Sequence, residues 1–248
     1  MTQGKLTKKQ KRQQMIEDEH KEKTLKIKQI NPLTDTQKKV FDAYYHDQNL
    51  FLSGCPGTGK TFIASFLALQ EILSDLSTRE KLYIVRSAVP TRQLGYLPGN
   101  LKEKMEEYEC PYMSIFEELF GKKDAYQSLK QKKKVEFLST SFLRGITFND
   151  CIVLVDEDSN LNFHELDTLI TRAGKNCKLI FCGDVRQCDF DGKREKSGIP
   201  EFIKIIRNIK AFTIIDFEVN DIVRSGLVKQ YIKQKIYLEE RGQLNVYS

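Results

Sequence analysis

Short continuous apolar runs alternate with longer segments of helical period along most of this chain. Residues 50–53, 82–85, 135–138, 151–155, 179–182 and 211–217 have strand length. The run 151–155 is apolar at every position, as expected of a central strand buried on both faces. Residues 61–73 place Phe62, Ile63, Phe66, Leu67, Leu69 and Ile72 at helical spacing. Residues 162–172 put Phe163, Leu166, Leu169 and Ile170 on one face, 112–120 is periodic in the same way, and 224–238 predicts a final helix. A helix over 33–45 precedes the first strand, with Thr34 as N-cap and Gln37 at N3, the capping-box arrangement. Strands alternating with helices predict an α/β fold of three layers, α/β/α, around a mainly parallel sheet. No internal repeat is present.

Composition fits that picture. Hydrophobic residues make up 40% and charged residues 30% of the 248 positions, enough apolar material for a core, which excludes a wholly disordered chain. At about 150 residues per domain, one domain with an appendage is expected. The division falls between a basic N-terminal arm or extended helix, 1–30, and a single domain, 31–248. The arm holds nine of the 40 lysines and arginines but only four of the 34 acids, so five of the six net positive charges lie there. Such a segment attracts nucleic acid through its phosphates, or only solubilises the chain. A second basic cluster, Lys122, Lys123, Lys130, Lys132, Lys133 and Lys134, reads as a surface contact of the same kind.

Several chemistries are disfavoured. No apolar run approaches the roughly 18 residues of a membrane span, and the lysine-rich N-terminus lacks the apolar stretch of a secretory signal. A soluble, cytoplasmic protein is expected. The six cysteines (55, 110, 151, 177, 182 and 188) form no C-x-x-C pair, so reduced thiols are expected instead of zinc ligands. No Ser-His-Asp or Cys-His arrangement stands out, no nuclease-like carboxylate cluster appears, and His164 reads as structural.

One segment does carry chemistry. Gly54-Cys55-Pro56-Gly57-Thr58-Gly59-Lys60-Thr61 fits G-x-x-x-x-G-K-[ST] at every fixed position, between a buried strand and an amphipathic helix. The glycines let backbone wrap around an anion, and the loop amides and helix N-terminus point at phosphates. Lys60 would reach the β- and γ-phosphates of ATP, and Thr61 would offer a hydroxyl to Mg²⁺. A second element is needed for the metal and the water. Asp156 at the end of the central strand would hold Mg²⁺, and Glu157 would polarise the attacking water. After the next strand, Gln187 in Gly183-Asp184-Val185-Arg186-Gln187 is a candidate γ-phosphate sensor.

With these elements placed, residues 33–239 resemble the PhoH-like family of P-loop ATPases, single RecA-like cores related to superfamily 1 helicases. Leu33-Thr34-Asp35-Thr36-Gln37 looks like the helicase Q-motif, which implies that Gln37 reads adenine. Arg86-Ser87-Ala88-Val89, Leu94-Gly95-Tyr96-Leu97-Pro98-Gly99 and Phe142-Leu143-Arg144-Gly145 are similar to family segments. Gly183-Asp184-Val185-Arg186-Gln187 matches Gly-Asp-x-x-Gln, and Asp221-Ile222-Val223-Arg224 looks like the family's arginine motif. The family's Asp-Glu-Ala-Gln-Asn is Asp156-Glu157-Asp158-Ser159-Asn160 here, so its coupling glutamine is missing. Arg-Pro is replaced by Arg86-Ser87, and Arg-His-Pro by Arg224-Ser225-Gly226.

The resemblance implies an ATPase acting on RNA or single-stranded DNA as a homo-oligomeric ring, such as a hexamer. With room for one core, Arg224 would act either by folding back in cis or by completing a neighbour's site in trans, and trans in a ring is the favoured arrangement. Tyr96 could stack on a base or simply pack in its loop. Two other functions fit the phosphate loop: a P-loop kinase of a small acceptor, and a nucleotide-gated binding module with little turnover.

Overall fold

The computed structural model describes residues 25–87, 101–143, 145–184 and 198–244. Six strands form one sheet: β1 (Asn49–Gly54), β2 (Lys81–Arg86), β3 (Val135–Ser139), β4 (Cys151–Asp156), β5 (Cys177–Cys182) and β6 (Phe212–Phe217). Their order is β3-β2-β4-β5-β1-β6, and every pairing is parallel. The helices are α1 (Asp35–Tyr45), α2 (Lys60–Ile72), α3 (Leu101–Phe120), α4 (Ala125–Gln131), α5 (Phe163–Thr171), α6 (Ile199–Ile206) and α7 (Gly226–Glu240).

Alternate strand residues feed two cores. Leu50, Leu52, Ile84, Ile152, Leu154 and Ile180 pack with α1, α2, α3 and α4 on one face. Phe51, Val153, Val155 and Phe181 pack with Leu166 and Leu169 of α5 and Phe202 and Ile206 of α6 on the other. The result is the three-layer α/β/α, RecA-like P-loop arrangement expected from sequence. Strands buried on both faces need no alternation of polar residues, which is why β4 is apolar through Val155.

Differences from the sequence reading have local causes. The helix expected at 112–120 begins at Leu101. Its first half is dominated by charge, and Pro111 inside it forgoes one backbone hydrogen bond. Helix α4 falls in the basic stretch that reads as either an exposed helix or a loop, and α6 was not expected; at seven and eight residues long, both are too short to show a period. Phe163, placed on the buried face by its spacing, is 39% exposed at the start of α5. The capping box of α1 is only half formed. Thr34 accepts from the Gln37 N–H at 3.1 Å, but the Gln37 carbonyl oxygen accepts from the Leu33 N–H at 2.6 Å instead of from Thr34. Residues 25–30, counted with the arm, lie against the body. Leu25, Ile27 and Ile30 pack on the core, and the Lys28 N–H donates to the Leu119 carbonyl at 2.9 Å.

Candidate functional site

The site forms at the carboxyl ends of β1, β4 and β5. Gly54 closes β1 with φ +113°, and a Cβ there would come within 2.1 Å of the Phe217 carbonyl oxygen. Only glycine fits, and the next residue, Cys55, donates its N–H to that same carbonyl at 3.0 Å. Gly57 and Gly59 also take positive φ, +75° and +85°. Thr58 ties the loop internally, its hydroxyl donating to the Cys55 carbonyl at 3.0 Å. Lys60 opens α2 and is nearly buried. Its ammonium donates to the carbonyls of Gly54 and Cys55, both at 2.8 Å. Burial pushes its pKa down, and the surrounding Cys182, Asp184, Cys55 and Asp158 work in the opposite direction.

Two acids face this loop. The Thr61 hydroxyl donates to Asp156 Oδ1 at 2.7 Å, and the Tyr112 hydroxyl donates to Asp156 Oδ2 at 2.8 Å. Burial raises the Asp156 pKa, while these two hydrogen bonds hold it back. Glu157 follows with φ +53°, a left-handed conformation that costs a non-glycine residue energy. Its carboxylate is held side-on by Arg86. Arg86 Nε donates to Glu157 Oε2 at 2.9 Å, and a second guanidinium nitrogen pairs with Oε1. Behind them Asp158 is buried with neither oxygen in a well-formed hydrogen bond, and it is pressed against Gly183, where a Cβ would come 1.7 Å from Oδ1. Burial first, then Asp156, pushes its pKa well above the usual carboxylate range.

A cavity of about 980 Å³ joins these groups. The whole loop from Pro56 to Thr61 lines it, with Asp156, Glu157, Asp184 and Arg224, and residues 29–31 and Ile115 bound it. Positive-φ glycines, the N-terminus of α2, one ammonium and a threonine–aspartate pair fit a nucleoside triphosphate with Mg²⁺. Among the described residues no cluster of three or more His, Cys, Asp or Glu fits a metal by itself.

The other expected residues fall as follows. Gln37 lies at the loop, but it is buried and its amide Nε2 donates to the Thr58 carbonyl at 2.9 Å. With its carbonyl oxygen on Leu33, it braces the loop, so reading a base requires these bonds to open. Arg224 was expected to act in trans in preference to cis. Within one chain its stem lies on its own P-loop, 2.9 Å from where a Gly57 Cβ would be, because the Val223 N–H is bonded to the Gly57 carbonyl at 3.0 Å. Gln187, Tyr96 and Cys188 lie outside the described residues, as do positions 1–24 of the arm. His164 is exposed on α5. Lys132, Lys133 and Lys134 directly precede β3, so that part of the basic cluster lies at the amino edge of the sheet, opposite the site, and Lys130 is bonded to Glu109 at 2.6 and 2.7 Å. Sequence reasoning placed Arg86 in a family segment but gave it no role in the site, and missed Tyr112 altogether. The register that sets Arg86 beside Asp156 appears only in the sheet.

Among the described residues no helix is long and apolar enough to cross a membrane. A family model described as "PhoH-like protein" matches residues 29–236. The PhoH-like protein of Bacillus subtilis (strain 168) is 31% identical over 212 residues, 85% of this chain and 65% of that protein. The PhoH-like protein of Synechocystis sp. is 30% identical over 229 residues, 92% of this chain and 68% of that protein. Protein PhoH of Escherichia coli (strain K12) is 27% identical over 198 residues, 79% and 55% of the two chains. The chain thus spans about two thirds or less of the length of most of these relatives. Among solved structures, the large terminase of a thermophilic bacteriophage in complex with ADP aligns with a TM-score of 0.47 at 12% identity, over 82% of this chain and 50% of that one. Unliganded Pif1 from Bacteroides sp. gives 0.40 at 14%, over 88% and 47%. With the phosphate loop and its two acids in place and a family match over most of its length, the chain belongs to the PhoH-like family of P-loop proteins.

Proposed function

We propose that the chain hydrolyses ATP with Mg²⁺ and couples hydrolysis to RNA or single-stranded DNA in a helicase-like manner. The observation that carries this reading is the 2.7 Å hydrogen bond from Thr61 to Asp156, which joins the P-loop to the end of β4 with Glu157 one residue beyond. Loop amides bind the triphosphate, and Lys60 turns from the Gly54 and Cys55 carbonyls to its oxygens. Mg²⁺, when bound, neutralises charge on the β- and γ-phosphates, and Thr61 and Asp156 are the residues to hold it. Glu157 orients a water and takes its proton as the water oxygen bonds to the γ-phosphorus and ADP leaves. Arg224 lies beside its own Gly57, so its charge is offered to the phosphates in cis.

The nucleic-acid part of the proposal has other support. It rests on the family resemblance and on the positive charge gathered in residues 1–30. A kinase would leave Glu157 with no water to activate.

Phosphate release from ATP, measured with and without poly(U) and single-stranded DNA at two salt concentrations, tests the proposal. Release without an acceptor, increased by one of the polymers and less so at high salt, is expected. No release under any of these conditions contradicts the ATPase reading. Release without stimulation removes the nucleic-acid part.

A further inference from the structure

Arg86 ends β2 directly beside Asp156 in the ladder, yet its guanidinium is spent on the next residue. Through Nε and a terminal nitrogen it engages both oxygens of Glu157. A side-on pair of this kind is the strongest geometry available to arginine and carboxylate, and it directs two N–H donors at the lone pairs that a water would use. The two partners are unequally fixed. The Arg86 side chain is 17% exposed and lies against the Tyr108 ring, 5.6 Å from its centroid, whereas the Glu157 side chain is 48% exposed.

Helix α3 touches Asp156 and Arg86. Tyr112 bonds Asp156 directly, and Tyr108, one turn earlier, backs the arginine that holds Glu157. Position 159, where the family carries its coupling glutamine, is a serine. The described residues therefore offer a different physical link to the catalytic acids, running through Arg86 and α3.

We infer that Arg86 is a positioning residue that latches Glu157 in the resting chain. The carboxylate that takes the proton of the attacking water is committed through both oxygens to a guanidinium, and turnover requires that pair to open. Glu157, the more exposed partner on a strained backbone, is the part that swings. The inference rests on the reading of Glu157 as the base of an ATPase.

The test compares wild type with Arg86→Gln and Arg86→Lys. It measures kcat and KM for ATP and, separately, equilibrium retention of a fluorescent non-hydrolysable ATP analogue. The latch predicts that kcat of Arg86→Gln rises about tenfold or more, part of the roughly 10²–10⁴ that a positioned base supplies, with KM unchanged. Arg86→Lys, whose ammonium cannot pair side-on, falls between the two. If the glutamine variant does not fold, the lysine variant carries the test, with kcat above wild type expected. Analogue retained with kcat at or below wild type overturns the latch and leaves the ATPase reading standing. Failure of wild type to retain the analogue overturns the ATPase reading and the latch with it.

Discussion

Asp156 receives two hydroxyl hydrogens, one from the P-loop and one from a helix that the sequence did not mark as part of the site. Tyr112 is fully buried, and burial followed by Asp156 pushes its phenol well above the usual range. It stays a donor at any working pH. Tyr112→Phe removes that donor and leaves Asp156 Oδ2 without its partner. A hydrogen bond to a charged group contributes about 1.5–3 kcal/mol, so the variant should be less stable by about that much, read as a lower urea midpoint at unchanged m. An unchanged midpoint would show that the bond contributes nothing. The residue types of the phosphate loop were legible because each answers a local demand: glycine for positive φ, lysine for charge, threonine for a hydroxyl. Arg86 and Tyr112 were not, because their roles come from partners 71 and 44 positions away.

Among the elements, strand interiors were legible, and β3 and β4 begin at Val135 and Cys151 as the sequence reading has them, but the start of β5 was not legible. β5 starts at Cys177 and includes Lys178, a charge that breaks the apolar run. The structure explains that lysine. It is buried, with its ammonium donating to the Tyr44 carbonyl at 2.9 Å and paired with Asp47 at 3.0 Å, while Arg79 pairs with Asp47 and Glu71 at 2.9 and 2.8 Å. This network ties the turn after α1 to α2 and β5 at the amino edge. Burial works to raise the Asp47 pKa, but Lys178 and Arg79 hold it below the ordinary value. A carboxylate with a depressed folded pKa stabilises above its unfolded pKa, about 3.9, and loses that contribution as pH falls through the folded value. Asp47→Asn should therefore be less stable than wild type at pH 7, and the gap should close below about pH 4. Urea midpoints across that range check it; a gap independent of pH would assign the effect to something other than the ion pairs. The helices differ in the same way. α2 and α5 present long apolar faces, while α4 and α6 are recognisable only by what they pack against, as at Gly198, where a Cβ would lie 2.1 Å from the Phe163 nitrogen.

At the level of the whole molecule, a parallel sheet gathers the carboxyl ends of its strands on one edge. Gly54, Asp156 and Cys182 end their strands there, and the C-terminal segment returns to set Arg224 on the same loop. The three-layer fold followed from the alternation of runs. The return of Arg224 did not, because a single sequence does not show whether a distal arginine meets its own loop or a neighbour's. The central claim is that this edge binds ATP and that Glu157 takes the proton of the attacking water. Glu157→Gln keeps size and hydrogen bonding but removes the base. The decisive measurement is ATP retention and phosphate release by this variant and wild type under identical conditions with Mg²⁺. Retention equal to wild type with turnover lowered by about 10²–10⁴ is predicted. Turnover equal to wild type would contradict it.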